Sequence, residues 1–252
     1  MARAGWISAL RRIAFSIGAA VALMLLLIIG SVIGVTLTGG GHYRIASSAM
    51  APALLPGDWV VALPIDDAVP GRGTIVTFIP QRRPGVSYVK RVIAFAGETV
   101  QVRGGVVHID GRSAGMERLA DRVVPMLPQG YPPTMPRCRN EPVGRSENCV
   151  QEQWRETLPE GTTQIVLNIV GEIGSSAEGR ISADDTPVFT VPEGHVFVLG
   201  DHRDNSLDSR FAETGMIPVG DLRHAPWIVH SSFERLETLW RPRVGRFFKR
   251  IQ

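Results

Sequence analysis

VSYVKRVIAFAGETVQVRGGVVHI, residues 86–109, reads as three β-strands in succession. Val86 to Phe95 is an apolar run closed by a Gly turn, and Val100 to Arg103 and Val106 to Ile109 flank Gly104-Gly105. Gly-Gly between two short apolar runs signals a two-residue hairpin, because the turn demands positive φ and only glycine takes it freely. Side chains alternate along a strand, so Tyr88, Lys90 and Val92 share one face and Lys90 projects beside apolar neighbours. A strand lysine is ordinarily a solvated surface group.

Upstream, Trp59 to Leu63 and Ile75 to Ile79 are further apolar runs bounded by Gly, Pro or Asp. Downstream, Val188 to Val191 and Val196 to Leu199 are separated by Pro192-Glu193-Gly194, a turn by composition. Many short strands with few amphipathic helical windows predict a mainly β domain. Between them residues 116–186 are more polar and rich in proline, with one strand candidate at Gln164 to Val170, and read as an inserted subdomain. After Pro242, the residues Val244, Phe247, Phe248 and Ile251 recur at helical spacing with Arg243, Arg246, Lys249 and Arg250 between them. That pattern predicts a basic amphipathic helix, which lies in a bilayer interface or packs on its own domain.

The chain has 252 residues, is 44% hydrophobic and carries a net charge of +3. Many of its basic residues sit at the two ends, which suits a membrane surface better than a nucleic-acid groove. Residues 13–38 contain no charge, enough at about 1.5 Å per residue to cross a hydrocarbon core of about 30 Å. A cleaved export signal has a shorter apolar core of about 7 to 15 residues, so a retained single-pass anchor is expected. Arg3, Arg11 and Arg12 precede the run, and no Lys or Arg follows until Arg44. By the positive-inside rule, residues 1–12 are then a cytoplasmic N-terminus and residues 42–252 an extracytoplasmic domain, reached through the Gly39-Gly40-Gly41 joint. In a bacterium that places the domain on the periplasmic or external side of the inner membrane.

Cys138 and Cys149 stand close together in a proline-rich stretch with no neighbouring histidine. A disulfide fits an exported domain, and two free thiols are the alternative. The six histidines lack metal-ligand spacing and no glycine-rich phosphate loop opens a helix, so neither a metal, a cofactor nor nucleotide hydrolysis is expected.

Three separated stretches carry a family pattern. Ile45-Ala46-Ser47-Ser48-Ala49-Met50-Ala51-Pro52-Ala53-Leu54-Leu55-Pro56-Gly57-Asp58 resembles the nucleophile box of type I signal peptidases, roughly P-S-x-S-M-x-P-T-L-x-x-G-D. Tyr88-Val89-Lys90-Arg91-Val92 with Gly97-Glu98 is similar to their lysine box. Residues 200–210, GDHRDNSLDSR, resemble the third box, G-D-N-R-x-N-S-x-D-S-R, and depart from it at His202. The resemblance implies endoproteolysis of exported preproteins after small residues, with signal peptides and membrane lipid as partners and no metal. It implies a serine and lysine dyad, in which a neutral Lys90 amine takes the serine proton. Ser47 would contribute its hydroxyl to an oxyanion hole, Ser206 would orient Lys90, and Asp208 with Arg210 would form a supporting ion pair. Tyr43, Ile45, Tyr88 and Val89 match positions near the substrate pockets, where an extended peptide would pair with a sheet edge.

At the nucleophile slot, immediately before Met50, stands Ala49. A methyl group cannot attack a carbonyl. Ser48 is one residue away, but adjacent side chains of an extended segment point in opposite directions, so it could serve only through a local kink. A laboratory substitution and a natural paralogue that lost the reaction both account for Ala49, and Ala46 and Ala53 in place of the usual proline and threonine favour the second. The rival function is an anchored module that binds signal peptides and cuts nothing. A soluble serine and lysine autoprotease disagrees with the expected anchor and external topology.

Overall fold

The computed structural model describes residues 33–65, 69–168, 184–236 and 239–251, with Phe15, Gly18, Ala19, Ala22, Leu23, Leu26 and Gly30. Half of the expected span at 13–38 falls outside these residues. Those of it that are described are mostly helical, and among the described residues no helix is long and apolar enough to cross a membrane. Two compact units divide the chain at residues 1–41 and 42–252, and the strands below belong to the second except for the first residue of β1.

The strands begin with β1 (Gly41–Arg44), β2 (Asp58–Pro64), β3 (Ile75–Phe78) and β4 (Tyr88–Phe95), followed by β5 (Thr99–Arg103), β6 (Val106–Ile109) and β7 (Arg112–Ser113). The segment after them forms β8 (Gly115–Arg118), β9 (Arg122–Pro125), β10 (Asn148–Gln151), β11 (Gln153–Thr157) and β12 (Thr163–Leu167). The chain then makes β13 (Phe189–Thr190), β14 (His195–Leu199), β15 (Ile217–Pro218), β16 (Leu222–Leu236), β17 (Leu239–Pro242) and β18 (Lys249–Arg250). The fold is mainly β.

The main sheet runs β1-β2-β16-β3-β4-β14-β15, with β17 and β18 also paired to β16. A second sheet, β13-β5-β6-β7, is built on the Gly104-Gly105 hairpin, where Arg103 faces Val106 and both glycines have positive φ. Along β5 only Val100 and Val102 are buried, the alternation of a strand with one face in a core. They pack with Ile93 and Leu199 of the main sheet, with Val107 and Ile109, and with Phe197. Each large apolar side chain buried there contributes roughly 1.5–3 kcal/mol over exposure.

Residues 115–168 fold as two small sheets, β12-β11-β8 and β10-β9. This segment holds more strand than sequence reading suggests, and residues 169 and 170 of the expected strand lie outside the described ones. Cys138 and Cys149 are joined by a disulfide and pack with Val124. The expected C-terminal helix is replaced by a single 3-10 turn at Val244–Arg246 and the strand β18, which pairs with Ile228 and Val229 of β16. The cause lies in the arginines. Arg243 and Arg246 reach inward to the carbonyls of Pro56 and Ala53 and to the Asp58 carboxylate, and a nine-residue helix has too few internal bonds to compete.

Candidate functional site

The loop from Ile45 to Asp58 is closed at its neck by Ile45 N–H donating to the Asp58 carbonyl and Gly57 N–H donating to that of Ile45, both at 2.8 Å. Gly57 has φ +86°, and a Cβ there would sit 1.9 Å from the Phe233 carbonyl oxygen, so Gly57→Ala would force the neck open. Asp58 is wholly buried and serves as the loop's anchor. Its carboxylate accepts from Leu55 N–H at 2.8 Å, from the Ser232 hydroxyl at 2.6 Å and from Arg246 Nε at 3.0 Å. Ile45, Met50 and Leu54 pack into a cluster with Val60, Ile75 and Val229, bordered by Tyr43 and Val89.

Three consecutive residues of the loop meet different surroundings: Ser47 is exposed, while Ser48 and Ala49 are buried. The Ser48 hydroxyl accepts a hydrogen bond from Asn205 Nδ2 at 2.7 Å, and the Ala49 carbonyl accepts from His202 N–H at 3.1 Å. Residues 200–210 therefore lie directly against the loop. Gly200 marks the tightest approach, since a Cβ there would meet Ser206 Oγ at 2.2 Å and the Ala49 carbonyl oxygen at 2.6 Å.

A buried ionic lattice holds residues 200–210 in shape. Arg210 grips Asp208 through Nε at 2.8 Å and a second nitrogen at 2.9 Å, and Gly200 N–H donates to the same carboxylate at 3.0 Å. Burial raises the Asp208 pKa, but Arg210 and the Gly200 N–H outweigh it and hold the carboxyl below its ordinary value. Arg91 grips Asp201 at 2.8 and 2.7 Å, and Arg203 grips Glu156 of β11 with both terminal nitrogens. His202 is buried, and that burial first, with Arg122 next, lowers its pKa to about 4, so the ring is neutral at pH 7. Its Nδ1 has no hydrogen-bond partner among the described residues.

Lys90 enters from β4, opposite Val76 of β3, and is only 4% exposed. Its Nζ donates to the Val89 carbonyl at 3.1 Å and stands 5.3 Å from the Tyr88 ring centroid. Burial lowers its pKa to about 8, against the pull of Asp208 and Asp201 and with a push from Arg210. A substantial fraction of the amine is then neutral at mildly alkaline pH, which is what a base requires. The Ser206 hydroxyl is buried and makes no hydrogen bond of good geometry among the described residues, although it sits close enough to Asp208 to help lower it. In this structure Lys90 is held by its own strand rather than by Ser206.

Tyr43 and Val89 border the cluster around Ile45, whereas Tyr88 lies on the other side of β4 beside Phe78, with ring centroids 6.0 Å apart. The Tyr43 hydroxyl pairs with His224 Nδ1 at 2.6 Å. Sequence reasoning missed Asn205, Arg91, Glu156, Ser232, Arg243 and Arg246. Asn205 and Arg91 stood inside the quoted boxes, Glu156 and Ser232 are far from them along the chain and carried no local signal, and Arg243 and Arg246 read as the polar face of a helix. Among the described residues no group of three or more His, Cys, Asp or Glu is placed to hold a metal.

A family model described as signal peptidase, peptidase S26, matches residues 16–224. A signal peptidase I of Rickettsia conorii is 30% identical over 149 residues, covering 59% of this chain and 47% of that protein. The signal peptidase I of Aquifex aeolicus is 28% identical over 203 residues, 75% of each chain. The chain thus spans about half the length of the Rickettsia relatives it matches. A crystal structure of a signal peptidase I from Enterococcus faecalis aligns over 63% of this chain and 97% of that one, at 25% identity and a TM-score of 0.30.

Proposed function

The chain belongs to the signal peptidase family, and from that premise we propose that it is a membrane-anchored signal peptidase I-type serine endopeptidase for exported preproteins, its chemistry silenced in this chain at Ala49. The observation that carries the reading is Lys90: a buried amine, lowered to about 8, in a chain whose nucleophile slot holds only a methyl. A lysine is expensive to desolvate, and a surface with no need of a base would place it in water.

The residues divide the work as follows. With serine at position 49, its oxygen would attack the scissile carbonyl carbon while its proton passes to neutral Lys90. The resulting oxyanion would be met by the backbone N–H of residue 49 and by the exposed Ser47 hydroxyl. As the C–N bond breaks Lys90 would return the proton to the leaving amine, and a water that gives its proton to Lys90 would then hydrolyse the acyl-serine and restore the hydroxyl. Ser206 is assigned to orient Lys90 through its buried hydroxyl, and Asp208 with Arg210 supports the turn that carries it. Tyr43, Ile45, Tyr88 and Val89 are assigned to peptide binding. No metal, cofactor or nucleic acid enters this scheme. Residues 13–38 are assigned to a single-pass anchor in the bacterial inner membrane with residues 42–252 periplasmic or external, a placement that the Cys138–Cys149 disulfide supports through its need for an oxidising compartment.

A second reading, a paralogue that only binds, is favoured by Ala49 itself. Ser48 is a third, but its hydroxyl is engaged by Asn205. One comparison separates them: turnover of a preprotein by the chain as it stands, by Ser48→Ala, by Ala49→Ser, and by Ala49→Ser with Lys90→Ala. Ala49→Ser should raise cleavage by several orders of magnitude and Lys90→Ala should erase the gain, because nucleophile and base act as a unit. Cleavage by the unaltered chain that Ser48→Ala silences would make Ser48 the nucleophile. Undiminished peptide binding with no gain from Ala49→Ser would leave a binding module.

A further inference from the structure

A cavity of about 460 Å³ opens between the Leu55-Pro56 end of the first-box loop and the inserted sheet. That size is typical of small-ligand sites, as is its make-up of an apolar wall with a few charged groups. Val124, Leu127, Pro128 and Pro133 supply the wall, while Arg122, Arg145 and Arg243 line it against a single carboxylate, Glu234. The catalytic scheme above uses none of these residues.

The charges are poorly balanced in a way that points to a ligand. Arg122 makes its one side-chain hydrogen bond among the described residues to a neutral group, the Gln151 amide oxygen, and no ion pair. Arg243 donates to the Pro56 and Phe233 carbonyls and the Ser232 hydroxyl and pairs only loosely with Asp58, at 3.7 Å, a carboxylate it shares with Arg246. Burial lowers the pKa of both Arg122 and Arg243; repulsion by Arg243 and then Arg246 lowers Arg122 further against a smaller pull from Glu234, whereas Asp58 and Glu234 partly offset the burial of Arg243, with Arg246 adding a smaller push. Desolvated guanidinium groups that repel one another are a standing cost, which an oxyanion seated between them would remove.

The wall is also built to persist. Val124 packs on the Cys138–Cys149 disulfide with Met126 and Val143, and β9 is zipped to β10 in unbroken register. The far rim is Gly130, where a Cβ would meet the Ala46 carbonyl oxygen at 2.2 Å, and Tyr131 N–H donates to that same oxygen at 2.8 Å.

We infer that this cavity is a binding site for an oxyanion, a phosphate or carboxylate carried on a small apolar body, with Arg122 and Arg243 as its charged floor and Val124 and Leu127 as its wall. The proposal stands apart from signal-peptide cleavage and does not depend on it.

Isothermal titration of the full detergent-solubilised chain tests it, with inorganic phosphate as one probe and dihexanoylphosphatidylglycerol below its micellar concentration as the other. Saturable binding of the lipid is expected, weakened by about tenfold or more in Arg122→Gln, the loss of one charge-assisted contact. Leu127→Trp, which fills the apolar end and keeps every charge, should weaken the lipid too and guards against an Arg122→Gln protein that fails to fold. Phosphate binding as tightly as the lipid would identify a soluble oxyanion, and binding of the lipid alone would identify a headgroup; both retain the site. Absence of binding by either probe up to millimolar concentration, or equal affinity in the unaltered chain and both variants, overturns it.

Discussion

Lys90 keeps its proton in the unfolded chain up to about pH 10.5, but in the folded one only up to about 8, because burial penalises the ammonium. Below pH 8 both states are protonated and the fold bears the whole cost of a buried charge. Between 8 and 10.5 the unfolded state binds more protons than the folded one, so that cost fades as pH rises. Lys90→Met should therefore stabilise the fold by roughly 1–4 kcal/mol below pH 8, with the gain shrinking toward pH 10.5. Urea unfolding of both proteins across that range measures it, and a gain that ignored pH would refute the buried ammonium. At this scale the membership of the candidate site was legible, because Lys90, Ser206, Asp208 and Arg210, all buried here, stand in short contiguous patterns. What the patterns could not give was partnership: Lys90 bonds to Val89 and Ser48 to Asn205, choices settled by packing across the loop.

Among elements, the inserted sheets and residues 200–210 meet at the Glu156–Arg203 pair, both side chains all but inaccessible, with Gln164 donating to the same carboxylate at 2.6 Å. Glu156→Gln leaves a guanidinium buried without its counter-charge and should cost about 3–5 kcal/mol. Replacing both partners by methionine should recover much of that, because the uncompensated charge goes too. Denaturant midpoints of the two variants provide the measurement. Equal losses in the single and double variants would show that the pair matters for packing rather than charge. Alternation revealed strands such as β5 and β6, which have one face in a core, but it failed for β16. That fifteen-residue strand contains Pro226, and its register against β2 shifts on either side of Ile228 and Val229, so no steady period survives in its sequence. The C-terminal stretch failed in the opposite sense. Its helical spacing is real, but the arginines that should have faced water bind Asp58 and two loop carbonyls instead.

For the whole molecule, the apolar stretch at 13–38 and the arginines before it set the expected orientation. Protease added to intact spheroplasts should digest the domain formed by residues 42–252, up to its disulfide-bonded core. Protection until the cells are lysed would place that domain on the other side and remove the compartment on which the Cys138–Cys149 bond depends. Fold class was readable at this scale because many short apolar runs bounded by turn residues recur along the chain, with three boxes of one family pattern in fixed order among them. The cavity beside Leu55 was not, since its walls come from three distant parts of the chain that no local pattern joins.

The grip of Arg246 on Asp58 joins residues 188 positions apart. Synthesis proceeds at about 5–20 residues per second, so the first-box loop emerges roughly ten to forty seconds before the guanidinium that neutralises its anchor. Throughout that interval Asp58 lacks its counter-charge and β2 lacks β16, the partner that Asp58 itself reaches through Ser232. The loop bearing position 49 therefore takes its final shape among the last parts of the molecule to do so.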